Sequence, residues 1–171
     1  MARRTILIFP NFSNIEVISR IRDTYDPLAK LVAPHITVVF PFESEMSDEE
    51  LRDFLERKLE HVRPFHIRLQ GVIKKEDAFG NYLFLQVKEG RDELRQIHDL
   101  LYSDELEEYD YGFPYEPHMT IGKLETVQDL QEAYVTVQGI NDFFATTVDT
   151  ISVEMIGDQD ESMILFEKTF I

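Results

Sequence analysis

The sequence has no cysteine and no tryptophan, and it has few basic residues relative to its acids. Its 171 residues include 17 Lys or Arg and 33 Asp or Glu, which gives a formal net charge of −16. The absence of cysteine excludes disulfide bonds and thiolate metal sites. The excess of acids argues against broad binding of nucleic acid, which depends on neutralising backbone phosphates. A local site for one or two phosphate groups is still compatible with this composition.

Long apolar runs are also missing. The N-terminal apolar stretch at 6–9 is too short for a signal-peptide core or a membrane span, and it predicts a first strand. Hydrophobic residues still make up 43% of the chain, enough to build a core. We therefore expect one two-lobed domain over residues 1–171, in the cytoplasm and without membrane contact.

One four-residue pattern occurs twice, about half a chain apart. Pro34-His35-Ile36-Thr37 and Pro117-His118-Met119-Thr120 share the order Pro-His-apolar-Thr. From the composition we expect roughly 0.01 such matches by chance, so the repeat indicates a shared role. Alternate side chains of a strand share a face. Each copy therefore places an imidazole and a hydroxyl on one face and apolar side chains on the other.

The segments around the two copies follow a similar order. Ser13 to Glu16 and Ser47 to Glu50 have the Ser-x-x-Glu pattern of a capping box, and each predicts a helix start. Helical spacing also occurs at 90–103 and 126–138, and strand patterns occur between the helices. We expect an α+β fold with two pseudo-symmetric lobes of mainly antiparallel sheet, helices outside, and an active-site groove between the lobes.

Two imidazoles that face each other across a groove suit displacement at phosphorus. The attacking oxygen must lose a proton and the leaving oxygen must gain one, on opposite sides of the phosphorus atom. The unperturbed histidine pKa of about 6.5 allows either role near neutral pH. The hydroxyls of Thr37 and Thr120 can donate hydrogen bonds to the non-bridging oxygens.

These two His-x-Thr phrases resemble those of the two-histidine (2H) phosphoesterase superfamily, which includes bacterial RNA 2′,5′-ligase-like proteins and cyclic phosphodiesterases. The stretches 25–37 and 109–122 are most similar to a small bacterial branch of phosphoesterases. The resemblance implies metal-independent cleavage or transfer of phosphodiesters, typically 2′,3′-cyclic or 2′-5′ linkages, without a cofactor. By motif position His35 and His118 match the catalytic pair, and Thr37 and Thr120 match the phosphate-binding pair.

The sequence therefore predicts a phosphoric diester hydrolase that opens a cyclic phosphate on a small nucleotide or RNA end. Two alternatives stay open: an RNA 2′-5′ ligase or processing enzyme, and a non-catalytic nucleotide-binding module. RNA-binding members of the family are expected to be basic near the groove. The candidate cations here are Lys123, Arg20, Arg22 and Lys30. We thus expect a small phosphorylated substrate, with no extended nucleic acid and no protein partner.

The remaining candidate residues have structural interpretations. His61, His66 and His98 lie outside the repeated motif, and no pair of histidines has metal-ligand spacing, so we expect no metal site. The acidic and aromatic loop at 104–117 is interpreted either as a solvated connection with packed rings or as a lid whose Tyr115 meets the ligand. Strand alternation sends Lys123 away from the groove unless the preceding glycine bends the chain.

Overall fold

Strands and short helices alternate along the part of the chain that the computed structural model describes, residues 2–171. The strands are β1 (Ala2–Ile8), β2 (Ile36–Ser44), β3 (Phe65–Asp77), β4 (Gly80–Glu89), β5 (His118–Leu124), β6 (Phe143–Val148), β7 (Thr150–Ile156) and β8 (Ser162–Thr169). The helices are α1 (Ile15–Tyr25), α2 (Asp48–Lys58), α3 (Arg91–Leu101), α4 (Val127–Val137) and a short 3₁₀ helix (Asp104–Tyr109). Among these residues no helix has the length and apolar character needed to span a bilayer.

The strands form two four-stranded sheets with the orders β2-β1-β7-β8 and β5-β4-β3-β6. Every neighbouring pair is antiparallel. The two strands associated with the repeated motif, β2 and β5, are each the edge strand of their own sheet, and they approach each other in space. The predicted α+β fold, with two antiparallel sheets and helices around them, is confirmed.

Two helices pack on the opposite lobe. Helix α1 follows β1 of the first sheet but packs on β5 of the second, and α3 follows β4 of the second sheet but packs on β2 of the first. The contact of α1 with β5 is very close at Gly122, where a Cβ atom would lie 3.0 Å from the Cβ of Tyr25. Each lobe therefore supplies a helix that supports the other lobe's edge strand.

One predicted helix start is confirmed and the other is wrong. Ser47 caps α2 as a full capping box, in which its backbone N–H donates to the Glu50 carboxylate at 2.7 Å. Helix α1 instead begins at Ile15, with Asn14 as N-cap and no side-chain capping bond. Tertiary packing sets this boundary, because the ring of buried Phe12 packs against Phe144 of the other lobe.

A bulge bends β3 midway along its length. Its pairing with β4 shifts register between Leu69 and Val72, and Gly71 within this step has a φ of +88°, a backbone region that favours glycine. Bulges bend a strand and increase its twist. Beyond the bulge the hairpin brings Lys75 and Asp77 close enough for their charges to act on the second motif.

Candidate active site

The two motifs have one buried face and one open face, as the alternation predicts. The side chains of the buried face are fully enclosed: Ile36, Val38, Met119 and Ile121. The side chains of the other face are half-buried: His35, Thr37, His118 and Thr120. Strands β2 and β5 contact each other, and the charge of His118 acts on His35, so the half-buried faces of the two motifs lie close together.

The two imidazoles are held in the same way. Nδ1 of His35 lies 2.8 Å from the carbonyl oxygen of Ala33, and Nδ1 of His118 lies 2.7 Å from that of Glu116. Since a carbonyl oxygen can only accept, each Nδ1 carries the hydrogen. Each accepting residue precedes the motif proline, which favours an extended backbone there. Nε2 is therefore the nitrogen that titrates in both rings.

Burial lowers the pKa of both histidines, which favours the neutral imidazole in the free protein. The charge of His118 further lowers the pKa of His35, so the two rings are close enough to affect each other's protonation. A bound anion has the opposite effect, because a negative charge nearby stabilises the imidazolium. A phosphate between the rings therefore favours a state with one neutral and one protonated histidine.

The aromatic neighbours of the two histidines differ. The ring of Phe84, on β4, stacks on His118 with a centroid distance of 3.7 Å and an interplanar angle of 23°. The ring of Tyr82 continues this stack at 5.5 Å from Phe84. Phe9 meets His35 at 6.1 Å and 63°, edge-on. His118 thus has a ring covering one of its faces, whereas His35 has only an edge contact.

Two tyrosines from the second half of the chain bond to the backbone of β2. The Tyr115 hydroxyl donates to the carbonyl of Thr37 at 2.8 Å, and the Tyr102 hydroxyl accepts from the N–H of Phe40 at 2.9 Å. The ring of His98 stacks on Tyr115 at 4.1 Å and contacts Tyr102 at 4.7 Å. Burial raises the pKa of Tyr115.

We call the tyrosine pair Tyr102 and Tyr115 the tyrosine clamp. The clamp links the segment that precedes the second motif to β2, the strand that contains the first motif. Of the two interpretations of this loop, the structure favours packed rings over a ligand-contacting lid at Tyr115, because its hydroxyl is bonded to Thr37. Sequence reasoning missed the clamp, and the only local signal was the position of Tyr115 three residues before His118.

Lys123 lies on the same face of β5 as His118 and Thr120, because β5 contains a bulge. Thr120 and Gly122 face consecutive residues of β4, which leaves Ile121 as an extra residue. The Nζ atom of Lys123 then lies 5.5 Å from the ring centroid of Tyr82. The expectation that alternation turns this lysine away is wrong, because the bulge at Ile121 returns Lys123 to the face of His118 and Thr120.

Two of the other candidate cations have acidic partners. Arg22 is buried, and its Nε donates to Asp26 at 3.0 Å. Its charge lowers the pKa of His35, while Asp26 acts in the opposite direction. Lys30 pairs with Asp23 at 2.8 Å. Arg22 therefore belongs to the surroundings of the first motif as a neutralised pair.

Comparison with known proteins identifies the family. The family described as the 2′-5′ RNA ligase superfamily matches residues 10–159. A Bacillus mycoides protein named "Putative phosphoesterase" is 32% identical over 132 residues, which cover 75% of this chain and 70% of that protein. A Bacillus licheniformis protein of the same description is 29% identical over 124 residues, 69% of each chain.

Solved structures share the fold at low identity. The crystal structure of a phosphoesterase has a TM-score of 0.63 at 16% identity and covers 99% of both chains. Escherichia coli LigT, in complex with 3′-AMP, has a TM-score of 0.64 at 15% identity, over 99% of this chain and 98% of that one. At such identities the likeness concerns the fold, while the family match covers most of the sequence. The chain belongs to the 2′-5′ RNA ligase superfamily, the two-histidine phosphoesterases.

Proposed function

We propose that this protein is a metal-independent phosphodiesterase that hydrolyses a cyclic phosphate, 2′,3′-cyclic or similar, on a small nucleotide or RNA end. One observation carries the proposal: both motif histidines have Nδ1 fixed to a backbone carbonyl, and Nε2 is left to exchange protons at two facing strand edges. The family and its phosphoesterase relatives support this reaction class.

In the proposed step, one neutral Nε2 removes a proton from water as its oxygen attacks phosphorus. The bond from phosphorus to one ring oxygen of the cyclic phosphate breaks on the opposite side. The other histidine donates its Nε2 proton to that leaving oxygen, so the products are a phosphate monoester and a free hydroxyl. This in-line arrangement needs one imidazole on each side of the phosphorus atom.

Thr37 and Thr120 are proposed to bind the two non-bridging oxygens. Each hydroxyl lies two residues beyond its histidine on the half-buried face. The bond from Tyr115 uses the backbone carbonyl of Thr37 and leaves its side-chain hydroxyl free of that contact. Donors in this position stabilise the negative charge that builds up in the transition state.

A small nucleotide is the expected size of substrate. Solved complexes of Escherichia coli LigT, which shares this fold, contain 3′-AMP or ATP. Those ligands belong to that protein, and they support a groove of this shape accepting one nucleotide. The half-burial of the four motif side chains agrees with a site that encloses a phosphate and leaves the base near the surface.

The test is hydrolysis of 2′,3′-cyclic mononucleotides and ADP-ribose cyclic phosphate in the presence of a chelator. His35→Gln and His118→Gln are each expected to lower kcat/KM by roughly 10²- to 10⁴-fold. His61→Gln is the matched control, since that side chain is 88% exposed in the turn after α2. Turnover of none of these substrates, or equal activity in wild type and the two motif variants, would refute the proposal. A 2′-5′-linked dinucleotide in the same assay tests the ligase-type alternative.

A further inference from the structure

The two copies of the motif differ at the residue before the proline. That residue is Ala33 in the first copy and Glu116 in the second, and in both copies its carbonyl oxygen accepts from Nδ1 of the motif histidine. An alanine side chain cannot bond to a neighbour, whereas a glutamate carries a charged carboxylate. The second copy therefore has an additional side chain beside the carbonyl that holds its histidine.

The carboxylate of Glu116 is bound by two arginines of α3. Its Oε2 accepts from Arg91 at 2.5 Å, and its Oε1 accepts from Arg95 at 2.7 Å. The arginines are four residues apart, so they lie on one face of the helix. Because each carboxylate oxygen has its own charged donor, both the position and the direction of the carboxylate are fixed.

Helix α3 is itself held firmly in the fold. It packs on β2, and the apolar side chains that fix it in the core are buried: Leu94, Ile97 and Leu101. The helix begins directly after Gly90, which has a φ of +87° and where a Cβ atom would lie 2.7 Å from the carbonyl oxygen of His66. Arg91 is the first helical residue, so its place is set by this close contact with β3.

The same helix also holds the residue before Glu116. The ring of His98, on α3, stacks on Tyr115 with a centroid distance of 4.1 Å and an interplanar angle of 8°. The pairing of β5 with β4 begins only at His118, which lies opposite Gln86. The carbonyl of Glu116 therefore lies before the strand ladder, and contacts with α3 fix the segment that carries it.

The segment before the first motif is held in a different way. The N–H of Ser162, on β8, donates to the carbonyl of Leu31 at 3.0 Å, and the side chain of Val32 is buried. A backbone bond and an apolar contact thus hold the chain that leads to His35, where an alanine precedes the proline. The ion pairs with α3 belong to the second motif alone, so they can be removed without changing the first.

We propose that Glu116 is a positioning residue for His118, and that its ion pairs with Arg91 and Arg95 keep the adjacent carbonyl directed at Nδ1. The inference rests on the proposed function for the role of His118 in proton transfer. While the carbonyl accepts the Nδ1 hydrogen, Nε2 is the nitrogen that exchanges a proton. If the carbonyl turns away, the other neutral tautomer can form, and its Nε2 already carries a hydrogen.

The first experiment measures the tautomer directly and needs no substrate. Side-chain ¹⁵N chemical shifts of His118 are recorded in wild type and in Glu116→Ala, which gives the second copy the alanine of the first. We expect the Nδ1–H tautomer in wild type and a mixture of the two tautomers in the variant. His35 is the internal reference and should keep its shifts. Unchanged shifts of His118 in Glu116→Ala would overturn the inference.

The second experiment is steady-state kinetics on a cyclic mononucleotide. Glu116→Ala is expected to lower kcat about fivefold to tenfold and to leave KM within about twofold, because His118 acts in the transition state. The double substitution Arg91→Ala and Arg95→Ala should cause the same loss. Adding Glu116→Ala to that double variant should lower kcat no further, since all three changes break one network.

Glu105→Ala is the matched control, because it breaks a comparable exposed pair with Arg57 at 2.6 Å and should keep the wild-type kcat. The Glu116 side chain is 63% exposed, and exposed ion pairs contribute little to stability, so Tm should stay within about 3 °C in both variants. An equal loss of kcat in the control, or losses that add in the combined variant, would overturn the inference. A change of tautomer without turnover of any cyclic substrate would support the positioning role and count against the proposed reaction alone.

Discussion

The two copies of the motif are alike in their own bonds and unlike in their surroundings. His35 and His118 have the same Nδ1 contact to a carbonyl two residues earlier. Around His35 lie the buried Arg22–Asp26 pair and the edge of Phe9. The second ring has the face of Phe84 and the charges of the β3–β4 hairpin instead. The repeated motif therefore holds two imidazoles in the same way, while the neighbouring strands give each ring different surroundings.

Among the substitutions that compare the two motifs, those of the threonines are expected to lower activity the most. Thr37→Ala and Thr120→Ala should each lower kcat/KM by roughly 10²- to 10³-fold, the usual cost of removing one oxyanion donor. Thr37→Ser and Thr120→Ser keep the hydroxyl and should stay within about tenfold of wild type. Steady-state kinetics on a cyclic mononucleotide measures this. If one alanine variant is fully active, the two motifs do not share the phosphate.

The pH profile reports on both histidines together. Because burial lowers both pKa values, the histidine that must donate a proton loses it at a lower pH than an exposed one. We therefore expect kcat/KM to be maximal below about pH 6.5 and to fall roughly tenfold per unit above it. The kcat profile should extend to higher pH, because the bound phosphate stabilises the imidazolium. A level kcat/KM from pH 6 to 9 would contradict this prediction.

The aromatic contacts of the two motif histidines differ, and substitution of each aromatic residue tests that difference. Phe84→Leu removes a stacked ring at 3.7 Å, and stacked pairs contribute about 0.5–1.5 kcal/mol, so kcat/KM should fall about two- to tenfold. NMR titration should show the pKa of His118 rising toward its ordinary value as its burial is relieved. Phe9→Leu is the matched control at the other motif, where the 6.1 Å edge contact predicts a smaller change. Equal effects of the two substitutions would contradict the predicted difference between the two motifs.

The tyrosine clamp gives the smallest expected effect. Tyr115→Phe removes the hydroxyl that donates to the Thr37 carbonyl, which should cost about 1 kcal/mol of unfolding free energy. For a chain of this size that corresponds to about 2–4 °C in Tm. Activity should fall by about twofold to fivefold, mainly through KM, because Thr37 is proposed to bind the phosphate. Calorimetry and kinetics on Tyr115→Phe and Tyr111→Phe, an exposed ring of the same loop, provide the comparison.

The two motifs could be predicted from the sequence because the pattern that defines each of them lies within a few consecutive residues. Each copy contains its own alternation, so the buried and open faces follow from four consecutive residues. The general arrangement of two lobes follows from the matching order of elements around each copy. The capping box at Ser47 was likewise readable, since both of its partners lie within one turn.

The features that sequence reasoning missed depend on neighbours far along the chain. The bulge at Ile121 exists only in register with β4, and it reverses the expected direction of Lys123. The clamp joins Tyr115 to a strand 78 residues earlier. The start of α1 was misplaced because Phe12 is fixed by a ring of the opposite lobe. The local sequence pattern indicates which secondary structure a segment favours. These three features depend instead on contacts with segments that are distant in the sequence.

The exchange of helices between lobes has a consequence for how the molecule moves. Since α1 supports β5 and α3 supports β2, pulling the lobes apart exposes the packed surface of both helices at once. A hinge opening of the kind that separates two independent halves is therefore opposed by the same apolar contacts that keep the chain folded. The spacing of the two histidines is therefore set when the polypeptide folds, and the proposed reaction would not need the lobes to close on the substrate.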